Sequence, residues 1–472
     1  MATQAKHDQK NRSMKKGFSN SSLQNSKPHR AGKKAVLERI RFHAAGVDIG
    51  SEEILVALSD RQQPVQKFSS FTQGIQEALA YIKSHGADSV AMETTGIYWW
   101  PIYEMFEAGG LDVYIVNACH AKNVPGRKTD VLDAEWLREL HTYGLVRSSF
   151  VPDDFIRKLR VYMRQRSDDI EMGASHIQHM QKHLDAMNIK LHTVISNITG
   201  VSGLKVIRAI LSGERDAAKL ALLCQEHMEE EKIKSIQLSL EGHYKEEHLF
   251  GLQQALTGWE FYQSRLKECD REIEKLLRAI TKDKPVPQDI KKPKIITNFN
   301  RPEIDGLHTL LVTFTAGRDA SQLPGFNDYS LMRVISETGI DMSPWPTEKH
   351  FTSWLNLAPW NNSSGKKKGT RTRKIENRAG QMFREMARSV GNSKYQALGG
   401  FYRRIKSRQG AKAANKATAR KIAVLFYRLM KYGYDYVEQG LEEYEKKYKE
   451  KALKSLIKKA RQLGMQLVPS AA

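Results

Sequence analysis

The spacing of apolar positions changes character along the chain, and each change predicts a different architecture. From Arg41 the apolar runs are of strand length. Phe42 to Ile49 leads through Gly50-Ser51 into Ile54 to Leu58 and then Val65 to Phe68, which predicts three antiparallel strands joined by tight turns. Phe71 to Ser84 has helical spacing, with Ile75, Leu79 and Ile82 on one side. Ser89 to Met92 reads as a short buried strand ending at Glu93, Ile97 to Ala108 as a helix stopped by Gly109-Gly110, and Val113 to Val116 as the next strand. Thr129, a good N-cap ahead of Val131 and Leu132, opens another helix. Three strands, then helix and strand in alternation, describe an α/β domain over residues 38–150 built on a mixed sheet of about five strands.

After Pro152 the period becomes helical. Ile156, Leu159, Met163, Ile170, Ile177, Met180, Leu184, Met187, Leu191, Val194 and Ile198 follow a heptad seam interrupted by Arg166 and Gly173. A second seam runs through Leu252, Trp259, Leu266, Ile273 and Ile280, with Ala255, Tyr262, Cys269 and Leu276 in the other heptad position. The segment 151–283 is therefore expected to be a coiled coil with a helical insertion near Val201 to Cys224, either an antiparallel hairpin or a coil between subunits. Pro285, Pro287, Pro293 and Pro302 among many charges mark a linker at 284–305. Residues 306–437 read as a mainly α-helical domain. Its apolar helix face at Ala379, Met382, Phe383, Met386, Ala387 and Val390 is followed by a cationic helix from Phe401 to Met430. A charged helical tail is expected over 438–472.

Composition narrows the class. The chain has 472 residues, 40% of them hydrophobic, enough for several cores, and a formal net charge of +22 that points to a polyanionic partner. Residues 1–37 carry nine Lys and Arg against Asp8 alone, among Ser, Asn, Gln and Gly, and read as a disordered basic arm. Cys119, Cys224 and Cys269 are isolated thiols without CxxC spacing, so neither a disulfide framework nor a cysteine zinc site is expected, and a reducing cytoplasm fits best. No apolar run approaches the roughly 20 residues that cross a bilayer, so no membrane partner is expected. His176, His179 and His183 share a helix face at metal-compatible spacing, but no carboxylate or cysteine completes a set, and a polar flank of the seam accounts for them equally.

The candidate chemistry lies in the acids of the first domain. Asp130 and Asp133 are three apart in a first helical turn and share a face. Acids are favoured there by the helix dipole alone, so the pair by itself is also an ordinary helix start. The predicted order puts Asp48 at the end of the first strand, Glu93 at the tip of the fourth, and Asp130 and Asp133 on the helix after the fifth. Strand tips and a helix start of this kind converge at one sheet edge, where ligands bind in such folds. Four carboxylates there need cations between them, and hard oxygen donors suit Mg²⁺ or Mn²⁺. Two ions about 4 Å apart activate a nucleophile and stabilise the leaving oxygen in phosphodiester displacement.

Three stretches carry a family resemblance: Gly46-Val47-Asp48-Ile49-Gly50; Met92-Glu93-Thr94-Thr95-Gly96-Ile97-Tyr98; and Val116-Asn117-Ala118 followed by Gly126-Arg127-Lys128-Thr129-Asp130-Val131-Leu132-Asp133-Ala134. They resemble the DEDD transposases of bacterial insertion sequences, the family that includes the Piv-type DNA invertases. The resemblance implies an RNase H-like, RuvC-like domain with Asp48, Glu93, Asp130 and Asp133 as the catalytic, metal-binding tetrad, and two Mg²⁺ or Mn²⁺ ions. Arg127 and Lys128 fit as phosphate contacts, and as lone cations they are equally a solvated face. Leu323-Pro324-Gly325-Phe326-Asn327 resembles the family's helix-hairpin-helix opening to its second domain, with Asn327 where a second Gly is usual. Lys366, Lys367, Lys368, Arg371, Arg373 and Lys374 among Gly, Ser and Thr read as a flexible phosphate-binding loop. Within it, Leu357-Ala358-Pro359, four residues and then Ser364-Gly365 match the family's pattern for a catalytic serine, with Ser363 as the neighbouring competitor. Serine activation by metal from the tetrad is favoured, because no His or Lys is evidently dedicated to it.

The resemblance implies a DNA recombinase that mobilises an insertion sequence by metal-dependent strand cleavage and exchange through a phosphoserine-linked intermediate. It further implies DNA partners (insertion-sequence ends and target), a structured noncoding bridge RNA, a homo-oligomer (dimer or tetramer), and a place at the bacterial nucleoid. The alternative is a structure-selective, Holliday-junction-like nuclease that hydrolyses DNA with the tetrad and leaves Ser364 a bystander.

Overall fold

The computed structural model describes residues 38–58, 64–94, 96–117, 130–224, 229–295, 299–359, 362–364, 367–369, 377–393, 397–433, 446, 450, 453–458 and 460–466; for 130–132, 362–364, 367–369 and 397 it describes the backbone alone. The expected basic arm and most of the charged tail thus lie outside the described residues. The chain divides between Phe150 and Val151 into two compact units.

In the first unit a five-stranded sheet runs in the order β3-β2-β1-β4-β5, where β1 is Ala44–Ile49, β2 Glu53–Ala57, β3 Gln66–Ser69, β4 Ser89–Glu93 and β5 Asp112–Val116. The first three strands pair antiparallel, while β1–β4 and β4–β5 are parallel, so the sheet is mixed as its pattern predicts. Helices α1 (Thr72–Ser84), α2 (Trp99–Ala108) and α3 (Asp130–Thr142) complete the unit. Alternate residues of paired parallel strands share a face. Ala45 and Val47 of β1 and Val90 and Met92 of β4 are fully buried on one face. The core residues of α1 and α2, among them Ile75, Ala78, Ile82, Ile102 and Phe106, serve that side. The other face carries Gly46, Ala91, Tyr114 and Val116 and packs on Leu137 and Leu140 of α3. Gly46 is a packing requirement: a Cβ there would collide with the carbonyl of Ala134 and the backbone nitrogen of Arg138.

The second unit begins with α4 (Asp154–Ala186), continues through α5 (Leu191–Val194), α6 (Val201–Leu211), α7 (Ala217–Leu222) and α8 (Glu230–Ser239), and returns along α9 (Glu246–Thr281). The two seams meet each other: Met180, Leu184, Leu252, Ala255 and Trp259 share one core with the insertion's Val206, Ile207, Ile210, Leu220 and Ile236. Of the two arrangements open at the sequence, the chain adopts the antiparallel hairpin. The expected single seam through Ile198 ends earlier, because Asn188 takes a left-handed conformation (φ 59°) and the Ile189 N–H closes onto the Leu184 carbonyl at 2.9 Å. The two interruptions have partners on α9. Arg166, 1% exposed, donates to both carboxylate oxygens of Asp270 at 2.7 and 3.3 Å. Gly173 faces Trp259 and Tyr262.

The linker is laid along this unit. The Arg166 guanidinium also donates to the Asn300 carbonyl at 3.0 Å, and the Glu303 N–H donates to Asp270 at 3.0 Å. Beyond it come α10 (Leu307–Phe314), a 3₁₀ turn at Ala320–Gln322, α11 (Asp328–Thr338), α12 (Glu348–Trp354), strands β6 (Asn362–Ser364) and β7 (Lys367–Gly369), α13 (Arg378–Asn392) and α14 (Ala397–Tyr432). Their core is aromatic: Phe326, Phe351, Phe383, Phe426 and Tyr427 are buried, with the rings of Phe326 and Phe426 stacked at 5.7 Å. The cationic helix expected from Phe401 to Met430 is two helices, since Gly410 (φ 83°, ψ 170°) breaks it.

Candidate active site

Register places the first two acids side by side. Gly46 of β1 pairs with Ala91 of β4, and Val47 with Met92, so the next residues, Asp48 and Glu93, are neighbours at the carboxyl ends of adjacent parallel strands. Both are half-buried, and their parity puts them on the face that carries Gly46. Helix α3 crosses that face antiparallel to the strands. His141 in its last turn contacts Ser89 at the amino end of β4, with Nε2 2.6 Å from Ser89 Oγ, while Ala134 and Arg138 abut Gly46. A helix rises about 1.5 Å per residue against about 3.3 Å for a strand. Two strand residues beyond Gly46 therefore correspond to about one helical turn before Ala134, the level of the turn that starts at Asp130. Half-buried Asp133 lies in that turn. Only the backbone of Asp130 is described.

The far end of α3 is built for anchorage. Backbone N–H groups of Ile40 and Arg41 donate to the Thr142 carbonyl at 2.9 and 3.0 Å. The Arg41 guanidinium lies 4.4 Å over the Tyr114 ring and donates to the Tyr114 hydroxyl at 2.9 Å. Burial, aided by the Arg41 charge, pushes the fully buried His141 imidazole down to about 4. It is neutral at pH 7 and wedges the helix against β4.

Arg138 is the residue that sequence reading passed over. It is 7% exposed and sits beside Gly46, which is two residues before Asp48 on β1. Its signal was the spacing Ala134, Arg138, His141, which is i, i+4, i+7 and so faces the sheet.

In the second unit the Ser364 stretch is partly a hairpin where a loop was expected: β6 pairs with β7, with Ser363 opposite Lys368 and Ser364 opposite Lys367. Arg127, Lys128, Lys366, Arg371, Arg373 and Lys374 lie outside the described residues. The turn before α11 is tied off. The Asn327 side chain caps the Ser330 N–H at 2.9 Å, the Asn327 N–H donates to Ser330 Oγ at 2.8 Å, and Lys294 donates to the Leu323 and Phe326 carbonyls at 2.8 and 3.2 Å. The backbone donor of Asn327 is thus spent inside the protein. Two of the three histidines of α4 are packing groups as well: the rings of His176 and His183 fill the space where Cβ atoms on Gly258 and Gly251 would stand, while His179 is exposed.

Residues 45–189 match the family model of the DEDD transposases of the IS110 type, described as a transposase. Residues 318–402 match that of the transposase IS116/IS110/IS902 family. The chain belongs to the IS110 family of DEDD transposases. A search of curated proteins finds no match. The IS110 assignment makes the chain an enzyme of DNA transposition whose substrate is DNA, and DEDD transposase domains work with divalent metal ions. The donor types fit such ions, since Asp48, Glu93 and Asp133 supply oxygens alone. Among the described residues, no three His, Cys, Asp or Glu side chains form a group that could hold a metal ion. No helix among them is long and apolar enough to cross a membrane.

Proposed function

We propose that this IS110-family transposase cuts and exchanges DNA strands using Asp48, Glu93, Asp130 and Asp133 as ligands for two divalent ions, Mg²⁺ or Mn²⁺, and Ser364 as nucleophile. The observation that carries the reading is the register: Asp48 and Glu93 occupy neighbouring strand ends, on the face crossed by the helix that begins with Asp130. Bound ions would supply Lewis acidity at the scissile phosphate. The acids' part is to hold oxygen ligands on three rigid elements, β1, β4 and α3, so that the phosphate is positioned without loop motion. Ser364 forms a bond from Oγ to phosphorus as the bond to the leaving deoxyribose oxygen breaks. The serine proton is given up and the leaving oxygen is protonated. Attack by a hydroxyl of the exchanging strand then reverses the link and frees the serine. This requires Ser364, from the same chain or a second copy, to reach the phosphate held at the acids. The cations Arg127, Lys128, Lys366, Lys367, Lys368, Arg371, Arg373 and Lys374 neutralise DNA phosphates, and the charge of +22 also suits a guiding bridge RNA.

The test is a denaturing gel for covalent protein–DNA product with Mg²⁺, DNA and any cognate RNA. Wild type and Ser363→Ala are expected to give the adduct, Ser364→Ala none, and Asp133→Asn neither adduct nor cleavage. Cleavage that persists in Ser364→Ala, without any adduct in wild type, would establish hydrolysis instead.

A further inference from the structure

A cavity of about 240 Å³ opens in the second unit between α4, α11 and α13. Its volume is below the roughly 300 Å³ at which pockets begin to enclose drug-sized ligands, so it suits a single small group. Three guanidiniums line it, those of Arg164, Arg333 and Arg378, against the carboxylates of Glu171 and Glu337. The Glu337 charge is spent: Arg164 holds both its oxygens at 2.9 Å, and Arg160, outside the lining, approaches to 3.3 Å. Arg333 pairs with the exposed Glu385 at 3.0 Å and lies 5.7 Å over the Tyr329 ring. Arg378 makes no hydrogen bond or ion pair among the described residues.

Other lining residues carry donors as well. Tyr329 lines the cavity, and its hydroxyl oxygen accepts from Arg166 at 3.1 Å, which leaves its own proton to donate. Arg378 and Gln381 stand in the first turn of α13, whose N–H groups add partial positive charge. Arg164 is taken up by Glu337, so Arg333 and Arg378 are the guanidiniums left to a ligand, with Glu171 as the carboxylate set against them; two guanidiniums around a space for one small group are the chemistry of an oxyanion site.

We propose that this cavity takes one backbone phosphate of the DNA strand engaged at Ser364. The occupant follows from chain continuity: Arg378 comes four residues after Lys374, the end of the cationic stretch that carries Ser364. A strand bound by those cations is bound by chain that ends four residues before Arg378. The proposal rests on the reading of Ser364 as the strand-engaging residue, but its test is one of binding.

The experiment is fluorescence anisotropy of the full chain with a fluorescein-labelled DNA duplex across a salt series. Arg378→Gln is expected to weaken binding about tenfold, uniformly over duplexes of different sequence, and to lower the slope of log affinity against log salt by about 1. Ser167→Asp, which puts a carboxylate into the lining, should reproduce the loss. Lys275→Gln, an exposed cation on α9 outside the cavity, should leave the slope unchanged. An unchanged slope in Arg378→Gln, an equal loss in Lys275→Gln, or a loss confined to RNA would each overturn the proposal. Should wild type give no covalent adduct while Arg378→Gln still lowers the slope, the serine mechanism fails and the phosphate site stands.

Discussion

Two buried histidines show how far identical side chains diverge with their surroundings. His141 has its Nε2 on Ser89 and no partner for Nδ1 among the described residues, so burial, with Arg41 nearby, holds its proton affinity down to about 4. His308 is opposed by burial too, but its Nδ1 lies 2.7 Å from Asp328, its Nε2 2.7 Å from the Lys291 carbonyl, and Asp319 stands near, so its affinity for a proton is raised. The signs follow from which state binds the proton. Below about 6.5 an unfolded His141 takes a proton that the folded one refuses until about 4, so the stability it allows is full above 6.5 and is lost as pH falls. His308 works the other way: the folded state holds its proton longer, so its contribution is full below 6.5 and is lost as pH rises through the raised value. Between pH 7 and pH 5 the first unit should lose about 2 kcal/mol. Hydrogen exchange in urea, read on α3 peptides and corrected for intrinsic rate, is expected to show that loss in wild type and its absence in His141→Gln, while peptides of α10 and α11 gain protection.

At the level of elements, close approach decides more than propensity. The α3 helix can lie over β1 because Gly46 lets the Ala134 carbonyl come down to the strand. Gly46→Ala keeps strand geometry yet forces helix and strand apart. It is expected to cost at least about 1–3 kcal/mol in chemical denaturation and to reduce activity, since the same packing sets the level of Asp133 against Asp48 and Glu93. A variant as stable and as active as wild type would show that α3 does not need this contact. The α4–α9 pair follows the same logic, with His176 and His183, seven apart, fitting over Gly258 and Gly251, also seven apart. The histidine spacing on α4 was visible in the sequence; its complement on α9 was not, because register between two helices is a tertiary fact. Likewise Arg166 read as a flaw in a seam until Asp270 stood opposite. Removing either member leaves a buried charge alone, which is why such pairs cost several kcal/mol to break however little they add as pairs.

For the whole molecule the governing quantity is charge. With 75 Lys and Arg against 53 Asp and Glu, association with DNA should be steeply salt-dependent. If six to ten phosphates are contacted, affinity is expected to fall about 10³–10⁵-fold between about 50 and 200 mM salt, measurable by anisotropy; a flat dependence would mean that the surplus charge serves something other than a phosphate backbone.

The sequence by itself determined the mixed sheet, the two long helical seams and the motifs that mark a DEDD transposase. Strand and helix periods, turn residues and short contiguous motifs are local properties of a chain. The termini of β1, β2, β4 and β5 fell within about two residues of the expected ones for that reason. What only tertiary structure decided is non-local: that the seams pair with each other, that Asn188 ends the first of them, that Arg166 meets Asp270, and that an arginine-lined cavity forms between α4, α11 and α13. The acids lie between these cases. Their motifs are legible one by one, but the neighbourhood of Asp48 and Glu93 exists because β4 pairs with β1, forty-five residues away in the chain, in a register that hydrogen bonding and the buried Gly46 contact select together.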